Sequence, residues 1–297
     1  MSLDLARYLA ERRALVDAAL DRCLPPEDSP PFSVHRAMRY SVLAPGKRLR
    51  PILVIAGAEA VGGRADAVLD TACALELIHA YSLIHDDLPA MDDDDYRRGR
   101  LTSHKVFGEA IAILAGDELL TRAFALIAAG AGRTAEPALV ARVVAEVAEA
   151  AGTGGMVGGQ VIDIESEGKE VSPETLDYIH LHKTAALIRV SLRAGALLGG
   201  GGDAAVEAVS QAGRALGLAF QIVDDILDVE GTLAELGKAA GSDERKKKAT
   251  YPACHGLGAS KQKARMLIDE TKRRLSPLGP PAAPLLALAD FVIERRS

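Results

Sequence analysis

Apolar residues return every three or four positions through nine stretches of this chain: residues 3–22, 33–44, 66–88, 104–129, 136–151, 173–198, 204–228, 259–275 and 282–295. Each stretch predicts a helix with a buried face, and no strand-like alternation lasts beyond a few residues. The fold class that follows is all-α. Composition agrees, because aromatic residues make up only 4% and tryptophan is absent, which suits helix packing better than a sheet. Punctuation falls where helices should start and stop: "SPPFS" before the second stretch, "APGKRLRP" after it, Ser172-Pro173-Glu174 opening the one at 173, and "GGGGD" between 198 and 204.

With 297 residues, 48% of them hydrophobic and 26% charged, the chain is long enough for a substantial core. No Pro/Ser-rich linker or charge block separates two halves, so a single domain over 1–297 is expected. A net charge of −6 argues against nucleic acid as a partner, since phosphate backbones require a basic face. Cys23, Cys73 and Cys254 are odd in number and lack CxxC spacing, which predicts neither a disulfide framework nor a thiolate zinc site. "MSLDLARYLAERRALVDAAL" mixes charge into its apolar residues and does not read as a signal peptide. No run reaches the roughly 18 uninterrupted apolar residues of a membrane span. A soluble, cytoplasmic protein is the expectation.

Two acidic clusters interrupt this helical chain. "LIHDDLPAMDDDDYRRG" puts six aspartates at positions 86–95, and "QIVDDILDVE" sets Asp224 and Asp228 four apart, on one helix face a turn from each other. Asp225 turns toward a different face. Carboxylates among Ile, Val and Leu repel one another and resist desolvation, so an opposite charge is required nearby. A solvated helix face is the bland reading; a hard divalent cation such as Mg²⁺, sharing its oxygen shell with phosphate and water, is the sharper one. Asp86 and Asp92 are about 240° apart on an ideal helix. Pro89 between them removes a backbone donor, so an irregular turn is expected to bring Asp92 round. A helical chain can bring both clusters to one end of a bundle, facing each other across a cavity.

Cations follow the same logic. Arg97 and Arg98 come directly after the first cluster, and planar guanidinium groups match phosphate oxygens in pairs. "APGKRLRP" adds Lys47, Arg48 and Arg50, "HLHKTAALIR" adds Lys183 and Thr184, and "LGKAAGSDERKKKATYP" adds Lys238, Lys246, Lys247 and Lys248. Aspartate-held Mg²⁺ beside arginines is chemically a diphosphate site, although any one lysine is more often solvated surface charge.

In order along residues 46–252, "GKRLRP", "HDDLPAMDDDDYRRGR", "GGQVIDI", "HLHKT", "FQIVDDILD" and "GKAAGSDERKKKATYP" resemble the blocks of the short-chain trans-polyprenyl diphosphate synthases, nearest to the bacterial farnesyl diphosphate synthase (geranyltranstransferase) type. The resemblance implies an isoprenoid synthase fold, a helical bundle around a central apolar cavity. It implies that Asp86 and Asp92 hold two Mg²⁺ ions and that Asp224, with Asp228, holds a third. It assigns Arg97, Lys183, Thr184, Gln221 and Lys238, with Lys248 nearby, to the allylic diphosphate, and Lys47, Arg50, His79 and Arg98 to isopentenyl diphosphate. Asp87, Asp93, Asp94 and Asp95 fall to supporting or structural roles. Most relatives are homodimers, so a homodimer is expected.

Family resemblance also makes the residue five before the first aspartate, Tyr81, with Ser82 next, a determinant of product length. Five residues down a helix is roughly 7.5 Å, a plausible pocket floor, yet ideal geometry sets Tyr81 about 140° around from Asp86. The aromatic side chain favours the fifteen-carbon farnesyl product, and the twenty-carbon geranylgeranyl product stays open as the alternative. A terpene cyclase of the same fold lacks need for the second diphosphate site, and its cavity commonly uses aromatic residues that are scarce here. A non-catalytic partner subunit should have lost part of an acidic motif, and both are complete.

Overall fold

The long apolar stretch expected at 66–88 is largely buried in the core. The computed structural model describes residues 3–133, 135–230 and 249–295. In chain order the helices are α1 (Leu5–Cys23), α2 (Phe32–Val42), α3 (Leu49–Ala60), α4 (Leu69–Asp86), α5 (Ser103–Phe107), α6 (Glu109–Ala131), α7 (Pro137–Ala151) and α8 (Met156–Ser166). They continue as α9 (Pro173–Ile179), a π-helical turn (His180–Ala185), α10 (Ala186–Leu198), α11 (Asp203–Glu230), α12 (Tyr251–His255), α13 (Leu257–Leu275) and α14 (Ala283–Glu294). Among the described residues the strands are two short ones, β1 (Tyr96–Arg97) and β2 (Arg100–Leu101), paired antiparallel in a hairpin.

Helix α4 packs against α3 and α6, α10 against α3 and α11, and α11 against α13. The segment Ala65–Asp86 has the length and composition of a membrane span, but 67% of its apolar window is buried, which identifies a core helix. Gly195 lets α10 press on α3, because a Cβ there would run into the Val54 carbonyl. Local chemistry sets the ends. Asp4 caps α1 by accepting from the Arg7 backbone N–H at 3.0 Å, and Ser172 caps α9 through the Thr175 N–H at 3.2 Å with Pro173 in the first turn.

Four features depart from the periodicity. Helix α3 begins inside "GKRLRP", which reads as a loop; Pro51 sits in its first turn, where the missing N–H is harmless. Helix α8 forms despite the glycines at 158 and 159. Gly108, at φ 83°, divides the expected 104–129 helix into α5 and α6. The 173–198 helix contains a π-helical turn, a local widening of the kind found at functional sites.

Candidate active site

Helix α4 ends at Asp86, and the chain then folds back: the Leu88 N–H reaches the His85 carbonyl at 3.2 Å, and the Asp92 N–H reaches the Asp86 carbonyl at 2.8 Å. The irregular turn expected around Pro89 is present, and it returns Asp92 to Asp86. Asp87 points the other way into the protein. It is buried and accepts from Arg97 Nε at 2.7 Å and Nη2 at 2.6 Å. Desolvation lifts the Asp87 carboxyl above its ordinary range, with Arg97 opposing. Arg97 is thus anchored from behind by a carboxylate outside the Asp86/Asp92 pair.

From Asp86, a series of polar contacts on α8, the π-helical turn and α11 leads to the second acidic motif. Gln160 on α8 donates to Asp86 Oδ1 at 3.2 Å. One turn along α8, Asp163 accepts from Lys183 Nζ at 2.6 Å. Thr184, next to Lys183 in the π-helical turn, donates to Gln221 Oε1 at 2.8 Å, and Gln221 donates to Asp225 at 3.0 Å. Gly159 permits this arrangement, since a Cβ on it would collide with the Lys183 backbone. Gln160 and Asp163 therefore belong to the site, while the glycines beside them do the packing. Asp225 faces away from Asp224, as its helix position predicts: it also accepts the Tyr251 backbone N–H at 2.9 Å and lies 3.4 Å from His180 Nε2.

The remaining wall is cationic. Arg48, at φ 50°, is turned inward and buried, donating to Asp17 at 2.7 Å, Glu76 at 2.8 Å and the Ala44 carbonyl at 3.0 Å. On either side of this anchor, Lys47 and Arg50 both feel Asp224 and Arg98 electrostatically. Desolvation, with Arg295 second, lowers Lys47, and desolvation brings Arg50 down to about 10. His79 is held well below its ordinary value, first by burial and then by Arg50, Arg98, Arg97 and Arg48. It is a neutral imidazole inside a positive wall. Arg98, at φ 53°, donates to the Pro45 carbonyl at 3.1 Å, closing the wall onto the "APGK" turn.

Arg295 is turned inward. Its side chain is only 4% exposed; it pairs with Asp224 Oδ1 at 2.6 Å, donates to the Phe220 carbonyl at 2.8 Å and lies over the Phe220 ring at 3.9 Å. Lys47 and Arg295 also border an apolar cavity of about 490 Å³ between α1, α3, α11 and α14, lined by Leu9, Leu53, Phe220 and Phe291. Lys238, Lys246, Lys247 and Lys248 lie outside the described residues. Tyr81 is buried on α4 with its ring edge-on to His85 at 5.7 Å; desolvation, aided by Asp86, pushes its hydroxyl up to about 12. Ser82 donates back to the His79 carbonyl at 2.9 Å.

Two carboxylate motifs brought together through α8 and the π-helical turn, beside a wall of arginine and lysine, make a candidate anion-and-metal site. The polyprenyl synthetase family model matches residues 32–276, a span that includes nearly all of it. This chain belongs to the polyprenyl synthetase family. It is a short-chain trans-prenyltransferase of that family, with the all-α isoprenoid synthase fold. Among curated proteins it is 48% identical over 295 residues to a dimethylallyltranstransferase of Fischerella ambigua, covering 99% of this chain and 84% of that one. It is equally 48% identical, over 301 residues, to an Arabidopsis thaliana heterodimeric geranylgeranyl pyrophosphate synthase large subunit, covering 100% of this chain and 81% of that one. Among solved structures, an FPP/GFPP synthase from Zymomonas mobilis superposes with a TM-score of 0.88 at 34% identity, over 99% of this chain and 100% of that one.

Proposed function

We propose that this polyprenyl synthetase condenses isopentenyl diphosphate with allylic diphosphates and that its main product is geranylgeranyl diphosphate. The observation that carries the reading is the set of polar contacts that join α8 to Asp86, α8 to the π-helical turn and that turn to the second acidic motif, through Gln160, Asp163, Lys183, Thr184 and Gln221. Asp86, Asp92, Asp224 and Asp228 offer only carboxylate oxygen, the donor set of Mg²⁺, and the buried Gln160 Oε1 beside Asp86 lacks a partner and is free to accept from an ion's water. The residues fit the ion. Mg²⁺ bound there would supply charge neutralisation for a departing diphosphate.

The protein's own groups divide the rest of the work. Lys183, oriented by Asp163, presents donors to the leaving diphosphate of the allylic substrate, Arg97, fixed by Asp87, adds others, and Thr184 joins them once its hydroxyl turns from Gln221. Lys238 and Lys248 join them in this reading. The allylic carbon–oxygen bond breaks with its electron pair going to diphosphate. The double bond of isopentenyl diphosphate, held by Lys47, Arg50, Arg98 and neutral His79, then attacks the allylic carbon, and a proton leaves the adduct for the released diphosphate. Water near the cation would divert it to an alcohol, so apolar walls are required around the growing chain.

Product length rests on the relatives. Several proteins 45–48% identical over nearly all of this chain bear the name geranylgeranyl diphosphate or pyrophosphate synthase, which supports twenty carbons over the fifteen that the aromatic side chain favours. Buried Tyr81, close enough to Asp86 to feel its charge, supports farnesyl diphosphate as the second reading. Chromatography of products from isopentenyl diphosphate, each allylic starter and Mg²⁺ decides between them. A twenty-carbon product is expected. A fifteen-carbon product that lengthens in Tyr81→Ala would reverse the order of the two readings, and no condensation at all would refute both. A homodimer is part of the same proposal, supported by Ile113 and Leu114 standing 42% and 51% exposed on α6, and sedimentation velocity reads it directly.

A further inference from the structure

Downstream of the Asp86/Asp92 turn, Asp93, Asp95 and His104 each bring one ligand-capable atom within 4.8 Å of the others. The two aspartates are exposed, but His104 is only 6% exposed and belongs to the core side of α5. Its hydrogen bonds define which nitrogen is available. The Thr102 hydroxyl donates to the Asp94 carbonyl at 2.8 Å, so toward His104 Nδ1, 3.1 Å away, the same oxygen acts as acceptor. That fixes the proton on Nδ1 and leaves the Nε2 lone pair outward from the bond. Nε2 is buried and has no hydrogen-bond partner. A buried imidazole nitrogen without a hydrogen-bond partner, on a ring that reaches two carboxylates, offers the start of a coordination shell whose outer hydrogen bond is already in place.

We propose that Asp93, Asp95 and His104 bind one transition-type divalent cation, Zn²⁺ by ligand set, at a site separate from the diphosphate-binding aspartates. One imidazole nitrogen and two carboxylate oxygens suit Zn²⁺, whereas an all-oxygen set suits Mg²⁺. Tetrahedral zinc sets its ligand atoms about 3.3 Å apart. Rotation of the two exposed aspartates supplies the closure. Lys105 Nζ sits 2.7 Å from Asp95 Oδ1 and now partly neutralises the pair; it is itself 39% exposed and able to swing away. The ion would pin the segment 93–104 at both ends, and that segment carries Arg97 and Arg98. Its effect on the arginines is positional.

The test is calorimetric titration of Zn²⁺ alone into chelator-stripped full-length protein, without any diphosphate, for wild type, His104→Gln, Asp93→Asn and Asp86→Asn. One equivalent should bind to wild type and to Asp86→Asn, with affinity at least about tenfold weaker in His104→Gln and Asp93→Asn. Co²⁺ should show the visible absorption of a four-coordinate ion in wild type and lose it in His104→Gln. Asp93 is exposed, so its variant stays informative if the buried histidine variant fails to fold. Undiminished binding in Asp93→Asn would overturn the proposal, placing the ion at surface histidines or at Cys254. Loss of binding in Asp86→Asn alone would overturn it too, placing the ion at the diphosphate-site carboxylates.

Discussion

A single arginine shows how the cationic wall is built. Arg48 occupies the left-handed backbone region, which costs a non-glycine residue about 1 kcal/mol or more, and two side-chain carboxylates and a backbone carbonyl hold it there. Its guanidinium and the Glu76 carboxylate are 3% and 5% exposed, so neither can turn to water if the other is removed. Arg48→Met should therefore destabilise the fold by roughly 3–5 kcal/mol, and Arg48→Met with Glu76→Leu should recover most of the loss. Urea denaturation of the two variants measures this; equal losses in both would show that the stranded Glu76 carboxylate is not the source of the loss. The run "GKRLRP" displays three cations but not which one turns inward. That choice depends on Asp17 and Glu76, which lie 31 and 28 positions away along the chain.

At the scale of helices, the decisive contact is α8 against the π-helical turn. The aspartate spacings were legible because an i, i+4 pair and a proline-broken run follow from local geometry alone. The expected turn after Asp86 formed for that reason. Helix α8 was not legible: "GTGGMVGGQ" is dense in glycine, a poor helix former, and the segment is helical because close packing on residues 182–183 rewards it. The π-helical turn leaves no periodic signature either. Gly159→Ala should separate α8 from Lys183 and loosen both the Lys183–Asp163 and Gln160–Asp86 contacts. The expected result is a loss of about 1–3 kcal/mol in stability with a disproportionate fall in condensation rate. Thermal unfolding together with steady-state kinetics checks it, and wild-type values in both would contradict this view of the glycine.

For the molecule as a whole, the expected helical stretches pack into a bundle because the buried faces were already written in apolar spacing. The long-range pairings were not, and Arg295 returning from the C-terminal end to Asp224 is the plainest case. Global stability should carry a pH signature from His180. Burial, outweighing nearby Asp163 and Asp177, lowers this imidazole from 6.5 to about 4. The unfolded chain takes up the proton below pH 6.5 while the folded one refuses it until about 4. The stabilisation is thus complete above 6.5 and is lost as pH falls toward 4, by up to roughly 3 kcal/mol. Denaturation midpoints across that range should fall less steeply in His180→Gln; identical slopes would assign the acid loss to other groups.

The central claim, that the two joined acidic motifs drive allylic transfer, is tested most directly by the rate of diphosphate release from geranyl and isopentenyl diphosphates with Mg²⁺, compared among wild type, Asp86→Asn and Asp224→Asn. The account predicts release in wild type, coupled to formation of a longer prenyl diphosphate, and a fall on the order of 10²- to 10³-fold in each variant with the fold intact. Wild-type rates in a folded Asp86→Asn or Asp224→Asn protein would contradict it.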